Sequence, residues 1–322
     1  MTEALRYARY HRDLSEGFAY GDKMLFDREG IVLQATQGGR TVYAEASPLP
    51  GHSKETIDDV LAILATPKLG DKKIPLPASL RWGLAGLAAL AKEPAGFRRP
   101  LVSNALLSWH GVEATLSAYH RAKRAGFRSF KLKIQAARIE EQLRFLSEIA
   151  EEGIEAGVQA RLDANASLRP AEASRLFAGL KLLPTHFVEY VEEPIVKSDW
   201  DHGVLAQSSV ALAADESAGK ADTWTAEHAP SIAIVKPMVR GSLEGPEGRR
   251  AIYTSTHEAE PGRRALIALL GAAGPREAMG LSTGYLFREN YLPDQAQWDR
   301  VPEISPEEKA WLDSLEWKDS PQ

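Results

Sequence analysis

The sequence lacks several features that would place it in a common class of protein. Its 322 residues include no cysteine, which excludes disulfides, thiolate zinc sites and a cysteine nucleophile. No stretch approaches the roughly 20 apolar residues of a membrane-spanning helix. The first segment, MTEALRYARYHRDL, has no apolar run of the kind found in signal peptides. We therefore expect a cytoplasmic protein with no membrane partner.

A concentrated positive charge is also missing. The 39 Lys and Arg residues are outnumbered by 44 Asp and Glu residues and form no basic stripe, so we expect no nucleic acid partner. The glycine-rich dinucleotide motif, the phosphate-binding P-loop and the HExxH zinc motif are absent as well. A small molecule is the expected partner.

The length and the 44% hydrophobic content are typical of a globular chain with two structural units. The first unit, 1–99, begins with a predicted hairpin in which GG joins the strands GIVLQATQ and TVYAEAS. Helical patterns follow at 53–65 and 78–91, and Ser53 is the predicted cap of the first helix. The stretch FRRP, ending at Pro100, marks the predicted boundary.

From residue 100 onward, short apolar runs alternate with helical patterns. Parallel strands that are joined by helices give this alternation, so we predict an α/β barrel. The connection GSLEGPEGRR between the sixth and seventh strands is too short, and too rich in Gly and Pro, for an ordinary barrel helix. We therefore expect the sixth helix to be truncated or missing. The eight predicted strands are 101–107, 127–134, 158–164, 187–193, 210–216, 231–237, 251–256 and 279–283.

Charged residues recur at the carboxyl ends of these strands, which is the face where barrel active sites are assembled. They follow one another at intervals of about 20 to 30 residues, as expected for one strand and helix per repeat. Because side chains alternate along a strand, residues two apart share a face. The set comprises Lys131, Lys133, Arg161, Asp163, Glu192, Asp215 and Lys236.

Taken singly, each of these residues has an ordinary structural explanation. A Lys-x-Lys pair is commonly a solvated strand edge, and one acid at a strand end is commonly a helix cap. Their order along successive strands favours a shared site instead. Three carboxylates without a thiolate or histidine cluster form an oxygen donor set, which suits Mg²⁺, with Mn²⁺ as a substitute.

The same residues carry a resemblance to a known family. The sequence shows KLK (131–133), DAN (163–165), EEP (192–194), DES (215–217) and KP (236–237), in the order found in the muconate-lactonising subgroup of the enolase superfamily. The segment AEASPLPGHSKET (44–56), the Arg161-x-Asp163 pair and GSLE (241–244) are most similar to the o-succinylbenzoate synthase family.

This resemblance implies a particular architecture. We expect a modified (β/α)8-type barrel, the enolase-like (β/α)7β form, with an α+β capping domain. The capping domain would comprise 1–99, the barrel 100–284, and the tail 285–322 would return to the capping domain.

The resemblance also implies a reaction, the Mg²⁺-dependent syn dehydration of 2-succinyl-6-hydroxy-2,4-cyclohexadiene-1-carboxylate to 2-succinylbenzoate in menaquinone biosynthesis. The implied metal ligands are Asp163, Glu192 and Asp215. Lys133 would be the base, Lys236 a positive charge opposite it, and Lys131 an auxiliary group. The expected substrate-binding residues are Arg161, Asn165, Ser255 and Glu258, although STHEAEPG (255–262) departs from the small-residue run that is usual in the family.

Other functions stay open at this point. An N-acylamino acid racemase or dipeptide epimerase of the same superfamily also uses two opposed lysines. Dipeptide epimerases typically carry an Asp-x-Asp late in the barrel, and 279–284 contains none. A non-catalytic binding protein would be expected to have lost part of the charged set, yet every member is present. The sequence leaves the oligomeric state open.

Overall fold

The computed structural model describes residues 5–20, 23–67, 69, 73–92, 96–195, 202–217 and 230–321. The first four residues of the segment tested for a signal peptide therefore lie outside the described part. No helix within the described ranges combines the length and the apolar character that a membrane span needs.

An antiparallel sheet forms the first unit. Strands β1 (Arg6–Tyr20), β2 (Lys23–Gln37) and β3 (Arg40–Ala46) follow one another in it, and β13 (Lys318–Asp319) pairs with β1 from the other end of the chain. Gly38 and Gly39 have φ of 59° and 77°, which only glycine adopts readily. The predicted hairpin is thus confirmed, and the C-terminal tail reaches the sheet of the first unit.

Two helices cover one face of this sheet, α1 (Ile57–Leu64) and α2 (Ala78–Leu90). The N-cap of α1 is Thr56, which forms a capping box with Asp59, so the prediction that Ser53 caps this helix is wrong. The Ser53 hydroxyl accepts a hydrogen bond from the backbone of Leu49 instead. The capping box explains the difference, because it satisfies backbone donors from both ends of the same turn.

Seven parallel strands, adjacent in chain order, form the wall of the second unit. Most of the described helices pack outside this wall, as predicted. The strands are β5 (Ala105–Leu107), β6 (Ser129–Lys133), β7 (Gln159–Asp163), β8 (Val188–Glu192), β9 (Ala211–Ala214), β10 (Ile232–Val235) and β11 (Arg250–Tyr253). The helices are α3 (Val112–Arg124), α4 (Ile139–Glu155), α5 (Pro170–Leu180), α6 (His202–Leu205), α7 (Pro237–Arg240) and α8 (Glu260–Ala273).

Residues 279 and 280 close the wall into a barrel. Met279 bridges to Ser103 on one side, and Gly280 bridges to Thr254 on the other, both in parallel orientation. The predicted eighth strand, 279–283, is therefore reduced to these two bridging residues. The first predicted strand is also divided, because β4 (Leu101–Val102) pairs with β12 (Gln297–Trp298) outside the barrel.

The sixth barrel helix is a single turn, as predicted. Helix α7 spans four residues, and Gly241 ends it with φ of 75°. No further helix occurs between Gly241 and β11, a stretch that the structure describes in full. The other helix after a late strand, α8, has 14 residues, so the local Gly and Pro content explains the truncation.

Helix α8 joins the two units. The position of a Cβ on Gly86 of α2 would lie 2.6 Å from the Cβ of Ala265 of α8, so a glycine is needed for this close approach. Arg264 of α8 pairs with Glu308 of α9 (Pro306–Asp313) in the tail. We propose that the units run 1–99, 100–284 and 285–322, with the tail completing the first.

Candidate active site

A cavity opens at the carboxyl ends of the barrel strands. The loop after β3 contributes Leu49 and His52 to its wall, and Arg28 holds that loop by donating to the carbonyl oxygens of Ser47 and Pro48 at 2.8 and 2.9 Å. Both units therefore enclose the cavity. The residues predicted for the site that line it are Lys131, Lys133, Asp163, Asn165, Asp215, Lys236 and Ser255.

The three predicted metal ligands lie at the ends of neighbouring strands: Asp163 and Glu192 are buried, and Asp215, directly after β9, is half-buried. Asp163 lies opposite Glu192 in the register of β7 and β8, and their exposed fractions are 3% and 0%. The Nζ atom of Lys131 lies 2.8 Å from Asp163 Oδ2 and 2.7 Å from Glu192 Oε1. Asp215 is paired with Lys236. Each carboxylate thus meets a lysine, and no group of three His, Cys, Asp or Glu in the described residues is assembled as a metal site.

The chemistry of these residues nevertheless fits a hard divalent cation. All three side chains offer carboxylate oxygens. Glu192 Oε2 is buried and has no hydrogen-bond partner in the described part of the chain, which is costly for a polar oxygen unless a cation or another donor satisfies it. The Nζ atom of Lys131 already marks a point at which the Asp163 and Glu192 carboxylates converge on one positive charge.

The three lysines differ in their electrostatic surroundings. Burial lowers the pKa of Lys133, and the neighbouring Lys131 and Lys236 add to this effect. Burial acts in the same direction on Lys236, but Asp215 and Glu216 more than offset it and raise its pKa. The pKa of Lys131 is raised well above its usual value because Asp163 and Glu192 outweigh its burial. Lys133 is therefore the lysine that most readily becomes neutral.

The loops after the strands fix the acids in place. The backbone of Asn165, at φ 45°, donates to Asp163 Oδ1 at 2.9 Å. Glu193 Oε1 accepts hydrogen bonds from the backbones of Asp215 and Ser217 at 2.8 and 2.9 Å. Glu193 is not among the residues predicted for the site, although it is the second glutamate of EEP. Its buried carboxylate holds the DES segment of the next strand.

Arg161 and Glu258 do not line the cavity. Arg161 is 1% exposed; its Nε donates to Glu189 at 2.6 Å and its Nη1 to the Ala278 carbonyl at 2.7 Å. Glu258 accepts from Ser255 and from the backbone and hydroxyl of Thr256. The structure therefore places both charges within the protein rather than against a ligand, because other residues of the chain already engage them.

Several cavity residues were not predicted from the sequence. Two are histidines: burial, with the positive charge of nearby lysines, lowers the pKa of His52 to about 4 and that of His257 well below its usual range. Both rings are thus neutral near pH 7. The strand-end pattern does not identify them, because His52 lies in the loop after β3 and His257 lies in the loop after β11, where its φ is 61°. The lining also includes Asn104, Tyr190, Ser282 and Thr283.

Comparisons with known proteins agree with this geometry. The profile of the enolase C-terminal domain-like family matches residues 114–239, which include the three lysines of the site and the three predicted metal ligands. A solved o-succinylbenzoate synthase from Thermosynechococcus elongatus BP-1, complexed with Mg in its active site, superimposes with a TM-score of 0.74 and 26% identity, covering 97% of this chain and 100% of that one. Residues 114–239 thus match the enolase C-terminal domain-like family, and the whole chain has the fold of the enolase superfamily.

Other members of the enolase superfamily are similar along most of the chain. The curated o-succinylbenzoate synthase of Thermosynechococcus vestitus is 29% identical over 294 residues, which cover 84% of this chain and 89% of the relative. A dipeptide epimerase from Enterococcus faecalis V583, complexed with Mg and the dipeptide L-Leu-L-Tyr, shares the fold with a TM-score of 0.72 at 16% identity, covering 94% and 98% of the two chains. The predicted barrel with its α+β capping domain is confirmed.

Proposed function

We propose that this enolase-superfamily enzyme is an o-succinylbenzoate synthase, a carbon-oxygen lyase that acts in the cytoplasm on a small-molecule carboxylate. Its reaction would be the syn dehydration of 2-succinyl-6-hydroxy-2,4-cyclohexadiene-1-carboxylate to 2-succinylbenzoate in menaquinone biosynthesis. The curated synthase that is 29% identical supports this choice.

The observation that carries the proposal is the opposite pKa shift of Lys133 and Lys236, two lysines that line the cavity. The pKa of Lys133 is lowered, chiefly by burial, whereas Asp215 and Glu216 raise that of Lys236. A dehydration needs one base and one fixed positive charge. A racemase needs two groups that exchange protons from opposite faces, so this asymmetry supports the dehydration.

Asp163, Glu192 and Asp215 are the residues that would hold Mg²⁺. The lysine partners that they have in this structure, Lys131 and Lys236, would then share them with the metal. When bound, Mg²⁺ neutralises the negative charge that develops on the substrate carboxylate as the adjacent proton leaves.

Lys133 performs the proton transfers. Its neutral amine removes the proton from the carbon next to the substrate carboxylate, and the C–H electrons move into the carboxylate. The C6–O bond then breaks, the ring becomes aromatic, and the Lys133 ammonium returns the proton to the departing hydroxide, which leaves as water. Burial of Lys133 favours the neutral form that the first step requires.

The remaining residues bind and orient. Lys236 keeps its ammonium and stabilises the delocalised negative charge, and Lys131 is auxiliary, since it holds Asp163 and Glu192 together. Asn165 lines the cavity and is the predicted substrate-binding residue with the clearest access. We assign Arg161, Ser255 and Glu258 to the support of the cavity wall, because their polar groups bond to the protein.

An N-acylamino acid racemase or dipeptide epimerase is the second candidate. Lys133 and Lys236 line the same cavity, and the dipeptide epimerase from Enterococcus faecalis V583 has the same fold. The two reactions differ in what they require of Lys236, because epimerisation needs it to transfer a proton and dehydration needs only its charge.

The deciding experiment measures both reactions with wild type, Lys133→Ala and Lys236→Arg. Turnover of the cyclohexadiene substrate is followed beside deuterium exchange at the α-carbon of N-succinylamino acids. We expect dehydration in wild type, none in Lys133→Ala, and residual dehydration without epimerisation in Lys236→Arg, since arginine keeps its charge but cannot act as a base. Absent dehydration with efficient exchange on both faces of the α-carbon in wild type would assign the racemase instead.

Metal dependence is tested with the same assay. EDTA should abolish turnover, and Mg²⁺ or Mn²⁺ should restore it, because the proposed ligands are all oxygen. Asp163→Asn and Asp215→Asn should weaken Mg²⁺ binding in calorimetry while both variants stay folded. Full turnover in metal-free buffer would show that the metal assignment is incorrect.

A further inference from the structure

The hydroxyl of Ser255 has no hydrogen-bonding capacity left for a ligand. It donates its proton to Glu258, and its oxygen lies 3.0 Å from both the backbone nitrogen of His257 and the hydroxyl oxygen of Thr283. A serine hydroxyl has one proton to donate and two lone pairs that accept. All three are used when Thr283 is the third partner, although Ser255 lines the cavity.

The direction of the bond between Ser255 and Thr283 then follows. Its geometry alone allows either oxygen to donate. A carboxylate oxygen can only accept, and a hydrogen bond to a carboxylate is about twice as strong as one between neutral groups, so the Ser255 proton goes to Glu258. Thr283 must therefore donate to Ser255, and its oxygen can only accept from a ligand.

Several contacts hold the Glu258 carboxylate in the position where it accepts the Ser255 proton. Its carboxylate also accepts from the Thr256 backbone at 2.9 Å and from the Thr256 hydroxyl at 2.7 Å. A Cβ on Gly262, in the first turn of α8, would lie 2.6 Å from the Cβ of Glu258, so the two segments are in close contact. The side chain is 1% exposed, and its three donors fix its orientation.

We propose that Thr283 is a specificity residue whose hydroxyl oxygen accepts a hydrogen bond from a hydroxyl or N–H group of the ligand, and that Glu258 is the positioning residue that imposes this polarity through Ser255. This part of the wall therefore favours a donor group and disfavours an ester or ether oxygen at the same place. The inference rests on the proposed function only in taking this cavity as the site of the carboxylate substrate.

The test uses two ligands with the same carbon skeleton, N-succinylphenylglycine and O-succinylmandelate, in which an N–H of the first replaces an ester oxygen of the second. Their dissociation constants are measured by calorimetry with the Mg²⁺-loaded protein. One neutral hydrogen bond corresponds to roughly tenfold in affinity, so wild type should bind the N–H ligand about tenfold more tightly.

Three variants separate this role from general structural support. Thr283→Ser keeps the accepting oxygen and should retain the preference for the N–H ligand. Thr283→Val removes that oxygen at almost constant volume and should reduce the ratio of the two dissociation constants to about one. Glu258→Leu removes the acceptor of the Ser255 proton, so that Ser255 can donate to Thr283 and the Thr283 proton becomes free for a ligand, and it should also remove the preference. Melting temperatures of all variants monitor folding, and Thr283→Val decides the question where Glu258→Leu fails to fold.

Equal binding of the two ligands by wild type, no binding of either one, or an unchanged ratio in Thr283→Val would overturn the proposal. The ratio is independent of catalysis. Failure of wild type to dehydrate the cyclohexadiene substrate would reject the proposed function and leave the donor preference standing, and the converse result would do the opposite.

Discussion

Two clusters of buried charge in this molecule differ in how completely their charges are paired. Around α8, each arginine meets one acid: Arg12 lies 2.6 Å from Glu260, and Arg264 contacts both carboxylate oxygens of Glu308 at 2.7 and 2.5 Å. At the mouth of the barrel, Lys131 is shared between two acids, and Glu192 Oε2 has no partner in the described residues.

This difference distinguishes a cluster that stabilises the fold from one that has the properties of a functional site. The guanidinium of Arg12 also lies 4.8 to 4.9 Å from the ring centroids of Phe287, Tyr291 and Trp311, so its position is fixed from several sides. Lysine changes its protonation state when its surroundings change. Incomplete pairing and shifted pKa values are typical of functional sites, and here they occur where the strands end.

The largest expected effect is on catalysis at the incompletely paired cluster. Lys133→Ala should lower turnover by about 10² to 10⁴ or more, because it removes the proposed base for proton abstraction. Lys181→Ala, which changes an exposed lysine at the end of α5, is the matched control and should leave turnover unchanged. Equal turnover in the two variants would mean that the barrel mouth is not the catalytic centre.

Replacing one acid should lower the free energy of unfolding by different amounts in the two clusters. Glu308→Gln should lower the free energy of unfolding by about 3 to 5 kcal/mol, since it leaves Arg264 buried without its counter-charge. Glu192→Gln should change it by less than about 1 kcal/mol in EDTA, because burial and the neighbouring Asp163 already raise the pKa of Glu192 well above its usual value. Urea unfolding measures both.

A larger loss of unfolding free energy in Glu192→Gln than in Glu308→Gln would contradict the distinction between the two clusters. Mg²⁺ titration distinguishes the clusters further. Glu192→Gln should lose metal affinity, and the correctly folded fraction of Glu308→Gln should keep it. A variant at the barrel mouth that lost stability but bound Mg²⁺ normally would identify Glu192 as a structural residue.

A smaller effect is expected where the first unit meets α8. Burial, with the charge of Glu258, raises the pKa of Glu45 from 4.5 to about 7. The folded protein then holds a proton that the unfolded chain has lost between about pH 4.5 and 7, so the Glu45 contribution to stability falls as pH rises through this window. The full cost, present above about pH 7, is up to about 3 kcal/mol.

Glu45→Gln tests this effect, because glutamine cannot ionise. The difference in unfolding free energy between the variant and wild type should shift in favour of the variant as pH rises from 4.5 to 7 and stay constant beyond. Tyr10, which donates to Glu45 at 2.6 Å, offers a control in Tyr10→Phe, which should remove the hydrogen bond and keep the pH dependence. A pH-independent difference for Glu45→Gln would show that Glu45 is not protonated in the fold.

Much of the barrel and its charged set could be predicted from the sequence, because the signals are local. Strand alternation puts Lys131 and Lys133 on one face, and the Gly and Pro content of 241–250 shortens the sixth helix without help from distant residues. By contrast, the capping strand β1 was not predicted, since Arg12 occupies a buried position that the period-two pattern assigns to an apolar side chain.

The order of strands and helices and the residue types at the strand ends follow from the amino-acid sequence alone, because each depends on neighbours within a few positions. Which polar groups remain available to a ligand depends on the contacts that form in the folded protein. Arg12 is buried against Glu260, which lies 248 residues further along the chain. Ser255 has no free hydrogen-bonding capacity because Thr283, from a distant segment, adds to the bonds that Ser255 makes within its own loop. Hydrogen-bonding capacity is consumed by whichever partner folding brings within about 3 Å, and sequence spacing does not specify that partner.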